Sequence, residues 1–241
     1  MTSVGATLAA FEALPFCDLA AFEGRTPLIL APHPDDETLG CGGLIAACCQ
    51  AGIVPRVAIL TDGAASHPGS LTYPPARLAA VREAEARTAL GILGLPPEHI
   101  MFLRFPDAGM PRGGEAYEAA LAALAGCCTA QTIVIGPWGE DPHCDHEAGS
   151  VFARALAEAA NVALWTYPVW GWLRDLAQTL PPQRIEGVRL DIAAFLPAKR
   201  RAIAAHATQH GEVVVDSPQG FCLPPALLAI FARPYELFLR A

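Results

Sequence analysis

Short apolar runs alternate with amphipathic helical stretches along most of the chain, and this alternation limits the fold more than any other feature of the sequence. The runs Leu28–Ala31, Val54–Leu60, Ile100–Phe105, Thr132–Ile135 and Val162–Tyr167 are β-branched or aromatic in character. Between them lie helical patterns at Leu39–Ala51, Ala76–Leu93, Glu115–Cys127 and Glu147–Ala159. Strands that read as continuous apolar runs are buried on both faces, so helices must cover both sides of a mostly parallel sheet. The expected class is α/β, a Rossmann-like three-layer sandwich. After Tyr167 the pattern loosens. It predicts a strand over Arg184–Leu190, a helix around Ala193–His206 and an edge strand at Tyr235–Leu239. No repeat, low-complexity tract or linker interrupts the 241 residues, so one domain over 1–241 is expected, with its core at 26–210.

Composition excludes several functions. Hydrophobic residues make up 53% of the chain, yet no stretch approaches the ~20 apolar residues of a membrane span. The net charge of −8, with no basic cluster beyond Lys199-Arg200-Arg201, argues against nucleic acid. The first residues, Met1 to Phe16, lack a basic segment ahead of an apolar one, so a cytoplasmic location is expected. The eight cysteines include no C-x-x-C and read as small buried thiols of a reducing compartment. The high apolar fraction leans toward a homo-oligomer.

In open parallel sheets ligands bind beyond the carboxyl ends of the strands, which is where a catalytic site is expected. After the first run stands His33-Pro34-Asp35-Asp36-Glu37, an imidazole and three carboxylates within five residues. One acidic residue would serve as a helix cap; three with a histidine form a negative site that needs a cation. Later tips carry Thr61-Asp62-Gly63, Pro106-Asp107-Ala108-Gly109 and Asp141-Pro142-His143-Cys144-Asp145-His146. His143 and His146 are three apart and can face one cleft from a helix N-terminus. Two histidines and one carboxylate drawn from these clusters match the ligand count of a catalytic zinc that keeps an open position. Iron(II) or cobalt would suit the same ligands.

These two clusters, in this order and spacing, resemble the PIG-L/LmbE-like de-N-acetylases, zinc enzymes that deacetylate N-acetylglucosaminyl lipids and glycosides. The resemblance runs from the first strand to Gln209. It implies zinc ligation by His33, Asp36 and His146, with Asp35 as general base. It also implies that His143, when protonated, offsets the oxyanion charge or protonates the leaving amine, with Asp145 orienting it. Arg82 and Asp107 would hold sugar hydroxyls, and His206-Ala207-Thr208-Gln209 is a further match. Cys144 departs from the proline of many relatives. The implied reaction removes the N-acetyl group of an N-acetylglucosamine-type substrate; a thiol-sugar conjugate or another N-acyl glycoside would suit the same centre. The partner is then a small amino-sugar molecule.

Other readings remain beside this one. Gly40-Cys41-Gly42-Gly43 invites a dinucleotide-binding reading, but it lacks the third glycine at the proper spacing and starts seven residues after the strand. Those glycines suit close packing of a helix on the sheet. Asp62 reads as a turn cap, His67, His99 and His210 as surface residues, and Trp165, Tyr167, Trp170 and Trp172 as core or sugar-stacking aromatics. Specificity is expected in loops 64–75 and 168–182.

Overall fold

The computed structural model describes residues 1–241. In chain order the elements are β1 (Thr2–Ser3), α1 (Val4–Glu12), β2 (Phe16–Cys17), β3 (Thr26–Ala31), α2 (Asp36–Gln50), β4 (Arg56–Thr61) and α3 (Pro75–Ile92). Then follow β5 (Ile100–Phe105), α4 (Glu115–Ala125), β6 (Thr132–Pro137), α5 (Cys144–Ala160) and β7 (Ala163–Tyr167). The last are β8 (Thr179–Leu180), β9 (Gly187–Asp191), α6 (Leu196–Ala204), α7 (Pro225–Phe231) and β10 (Tyr235–Arg240). Local chemistry sets several boundaries. Ser3 Oγ accepts from Ala6 N–H to cap α1, Pro75 opens α3 where its missing N–H costs nothing, and Asn161 closes α5 in the left-handed region.

Eight strands form one sheet in the order β2-β9-β10-β7-β6-β3-β4-β5, and β1 pairs with β8 in a separate ribbon. The run from β7 to β5 is parallel, and β10 is antiparallel to both neighbours. Helices cover both faces. A core of 31 buried residues lies on the side of α2, α3 and α6, and a second of 14 lies under α4 and α5. The expected three-layer α/β class is therefore what the chain forms. Because β4 lies to one side of β3 and β6 to the other, the strand order reverses beside β3. The carboxyl ends of β3 and β6 thus bound the crevice where such sheets bind ligands.

Several expectations are corrected. β10 is an interior strand, because β9 and β2 extend the sheet beyond it; β2 is the edge. The glycines at 40, 42 and 43 lie inside α2, not in a strand-to-helix turn, which removes the dinucleotide reading. A Cβ at Gly40 would stand 2.1 Å from the Tyr167 ring, and one at Gly43 2.5 Å from Ile192. They are glycines because the helix lies directly on the sheet. His67 is buried rather than exposed, packed beside Gly220 with Ser66 Oγ 3.0 Å from its Nδ1. All eight cysteines are free, but only Cys41 and Cys48 are buried, and Cys144 and Cys222 are exposed. No helix is long and apolar enough to cross a membrane.

Gly40→Ala should therefore destabilise the chain by roughly 1–3 kcal/mol through overpacking against Tyr167. Gly91→Ala, on α3 with nothing within 4 Å of the added methyl, should stabilise by about 0.5–1 kcal/mol. Urea unfolding of the two variants checks both signs.

Candidate active site

The tips of β3, β4, β5 and β6 converge as the topology requires. His33, Asp35, Asp36, Arg82, Asp107 and His143 line one cleft of about 540 Å³. Part of its wall is the edge-on pair Trp170–Phe221, with ring centroids 5.6 Å apart. Of the four aromatics singled out in the sequence, only Trp170 lines the cleft. Trp165 and Tyr167 are core residues, and Trp172 packs on Phe11.

His33 of the same cluster and His146 of α5 meet at Asp36. Its Oδ2 accepts the His33 backbone N–H at 2.9 Å and lies 3.2 Å from both His33 Nδ1 and His146 Nε2. The outer ring nitrogens are engaged elsewhere. His33 Nε2 lies 3.1 Å from Asp145 Oδ2 and 3.3 Å from Asp107 Oδ1, while His146 Nδ1 lies 2.9 Å from Asp141 Oδ2. Carboxylates behind the outer nitrogens orient both rings, so each inner nitrogen, once its proton is lost, presents its lone pair to the same point. His146 Nε2 is buried without a hydrogen-bond partner, because Asp36 Oδ2 sits outside hydrogen-bonding geometry despite its proximity. Two imidazole nitrogens and one carboxylate oxygen, each braced from behind, fit a catalytic transition-metal ion. His143 borders the same point, since its ring nitrogen comes within 4.8 Å of those of His33 and His146.

The electrostatics follow from this crowding. Burial works against charging His33, yet Asp107, Asp145 and Asp36 hold its pKa well above the ordinary imidazole value. His146 is likewise raised to about 9, burial being outweighed by Asp36 and Asp141. Burial would lift the Asp36 carboxyl, but the two imidazoles hold it well below the usual carboxylate range.

Asp35 is held differently. Strand alternation predicts that adjacent aspartates point apart, but Asp35 is not extended. Its φ is 147° and its ψ −29°, a region that non-glycine residues rarely adopt, at a cost of order 1–3 kcal/mol. That turn carries its carboxylate away from Asp36 to within 3.4 Å of Arg82 Nη2. Burial is the main reason the Asp35 carboxyl is pushed up to about 6; Arg82 opposes the shift and Asp36 adds to it.

The geometry redefines the contacts of three of these residues. Asp145 does not orient His143 through its carboxylate, which accepts from Ala108 N–H and Met110 N–H and faces His33. Only its backbone N–H, 3.2 Å away, donates to His143 Nδ1. An amide can only donate, so the proton of a neutral His143 sits on Nε2. Burial and the neighbouring imidazoles His33 and His146 lower the His143 pKa. Arg82 lines the cleft, and its guanidinium donates to Gly63 O and Pro34 O and faces Asp35, which braces the loop that carries the aspartates. Asp107 accepts from Ala65 N–H and faces His33. Asp62 caps its turn, as expected, by accepting from Ala64 N–H.

Two residues that the sequence places in these clusters without a role prove to be built into the site. Asp141, fully buried, faces His146 and accepts the N–H groups of Val169, Trp170 and Gly171. Its place five residues before His146 was the available signal. Glu37, also fully buried, accepts the Asp35 N–H at 3.0 Å. Nothing in its spacing distinguishes it from a helix-start acid.

His33→Ala and His146→Ala should each abolish binding of about one transition-metal ion per chain, as read by elemental analysis, and His210→Ala should not. Ligation requires an imidazole to shed its proton. Apparent metal affinity should therefore rise with pH toward about 9, the value of His146. The Asp35 backbone gives a second test. Asp35→Gly should be more stable than Asp35→Ala by about 1 kcal/mol, since alanine keeps the strain and glycine does not.

Comparison with known proteins places this arrangement. The family model "PIG-L: GlcNAc-PI de-N-acetylase" matches residues 28–157. A probable N-acetyl-alpha-D-glucosaminyl L-malate deacetylase 2 of Bacillus anthracis is 27% identical over 197 residues, covering 80% of this chain and 84% of that protein. The N,N'-diacetylchitobiose deacetylase of Pyrococcus horikoshii superposes with a TM-score of 0.62 at 20% identity, over 89% of this chain and 82% of the other. The 4-carboxy-2-hydroxymuconate hydratase of Pseudomonas putida shares the fold at a TM-score of 0.60 and 20% identity, over 77% of this chain and 80% of the other. With 130 residues under the family model and the two clusters seated at the strand tips, the chain belongs to the PIG-L de-N-acetylase family.

Proposed function

We propose that the chain, as one domain over 1–241, hydrolyses the N-acetyl amide of an N-acetylglucosamine-type glycoconjugate, releasing acetate and the free amine. The observation that carries the reading is the convergence of His33, Asp36 and His146 beside a separately held Asp35. Family membership and N-acetylglucosaminyl deacetylase relatives support it. The free cysteines agree with a cytoplasmic setting.

His33 Nδ1, Asp36 and His146 Nε2 would hold zinc. A zinc ion supplies a lowered water pKa and polarisation of the acetamide carbonyl. Asp35, not spent on ligation and facing the cleft, accepts the proton of the attacking water. The neutral Nε2–H of His143 donates to the oxyanion that develops on the carbonyl oxygen, an effect worth about 3 kcal/mol in comparable sites. Asp35 then passes its proton to the amide nitrogen as the C–N bond breaks, so the leaving group departs as a neutral amine. Its raised pKa suits both halves of that shuttle, because a base near neutrality also makes a competent acid. The Trp170–Phe221 wall offers an aromatic face to the apolar side of the sugar ring.

Asp35→Asn should retain metal and fold yet lose ~10²–10⁴ in kcat. Asp36→Asn should instead weaken metal binding, with activity partly restored by added zinc. Asp35 works only when deprotonated, so kcat/KM of the parent should fall as pH drops through its pKa. A bound dication draws that value down, which puts the acid limb at or below pH 6. Amine release from a panel of N-acetylglucosaminides checks all three outcomes. Full activity in both variants would sink the reading.

A further inference from the structure

The fifth residue of the first cluster and a histidine 169 residues later meet beneath the site. Glu37 is fully buried, as is Thr38, and His206 is 1% exposed. Glu37 Oε2 accepts the Asp35 N–H at 3.0 Å, and Oε1 accepts the Thr38 hydroxyl at 2.9 Å. His206 Nε2 lies 3.1 Å from Thr38 Oγ1 and 3.4 Å from Glu37 Oε1. Since the Thr38 hydroxyl donates to Glu37, its oxygen must accept from His206, which puts the His206 proton on Nε2. The bare Nδ1 left by that tautomer is without a partner.

The peptide that Glu37 grips is the strained one at Asp35. A residue at φ 147° relaxes unless its surroundings over-determine it. Helix α2 already fixes the carbonyl side, where Asp35 O accepts from Thr38 N–H and Leu39 N–H. Arg82 fixes the preceding Pro34 carbonyl. The Asp35 N–H is the other edge of that same peptide, and Glu37 holds it, so the plane is fixed from both sides. We propose that Glu37, anchored by Thr38 and His206, is a positioning residue: through the Asp35 N–H it locks the turned peptide that aims the Asp35 carboxylate at the cleft and away from Asp36. The inference rests on the reading of Asp35 as the base, but its structural half can be tested without turnover.

The full-length chain carries the experiment. Asp35→Gly should melt clearly above Asp35→Ala in the parent background, because only glycine tolerates that φ. Adding Glu37→Ala should close the gap, since an ungripped peptide relaxes. On a verified N-acetylglucosaminide, Glu37→Ala should lose about 10²-fold in kcat, the scale of a misplaced catalytic group, with KM and metal content unchanged. Glu37→Gln keeps a carbonyl oxygen for the Asp35 N–H and should recover most of that loss. If Glu37→Ala does not fold, His206→Ala, which leaves Glu37 without its anchor, should narrow the melting gap and lower kcat by a smaller factor. A melting gap that persists unchanged without Glu37 or its anchor, or parent kcat in these variants, overturns the proposal. If the parent turns over no N-acetylglucosaminide, the deacetylase reading fails instead, and the melting comparison still decides this one.

Discussion

Five carboxylates are buried around one end of the sheet, at Asp35, Asp36, Glu37, Asp141 and Asp145, and the rest of the site is arranged to make that tolerable. A buried charge is stable only when paired or saturated with hydrogen-bond donors. Asp141 takes three backbone N–H groups and faces His146, Asp145 takes two and faces His33, and Glu37 is filled by Asp35 and Thr38. Asp35 has the Arg82 guanidinium. Asp36 differs, since beyond one backbone donor its Oδ2 faces two imidazole nitrogens whose outer partners are other carboxylates. The inner face of this shell therefore gathers one carboxylate oxygen and two imidazole nitrogens at a single point, an arrangement that suits a cation.

The fold alone does not select the reaction. A hydratase superposes about as well as a chitobiose deacetylase, at TM-scores of 0.60 and 0.62. An α/β sheet supplies a crevice at its switch point, and the chemistry depends on what the strand tips carry. Here the discriminating features are local: two imidazoles that meet one carboxylate oxygen, and a second carboxylate turned toward Arg82.

How far the sequence carried this account depends on the scale of the feature. The central strands and four main helices were legible because burial on both faces leaves an unmistakable apolar run, and the ligand-like residues because ionisable groups rarely follow such runs. β10 was misplaced at an edge because pairing partners depend on tertiary order, and a strand of apolar residues reads alike in either place. The contacts of Asp145 and Arg82 were not legible because a residue's class and spacing do not say which atom its side chain meets; the nearest histidine in sequence to Asp145 was not the one its carboxylate faces. The Asp35 strain was invisible, since an aspartate carries no mark of its φ. Glycines 40 and 43 were legible as packing residues, and they seat α2 on Tyr167 and Ile192 so that its first turn is delivered to the site.

Rigidity is distributed to match these roles. The groups that would perform chemistry stand on strand tips and helix starts, held by ion pairs and hydrogen bonds such as Arg82 with Asp35 and Asp141 with His146. One wall of the cleft has a different construction. Residues from loop 64–75 and from the segment near 216 are joined largely through one carboxylate, with Asp216 accepting from Ser70 Oγ, Leu71 N–H, Thr72 N–H and Thr72 Oγ1. Ser217 Oγ adds a bond to Pro68 O, and Phe221 N–H one to Ser66 O. None of the three residues gathered at Asp36 lies in these loops, and their one link to that centre is the Ala65 N–H that donates to Asp107 beside His33. The relatives are named as deacetylases of malate, inositol and chitobiose conjugates, substrates that differ in the part a cleft wall of this kind would meet.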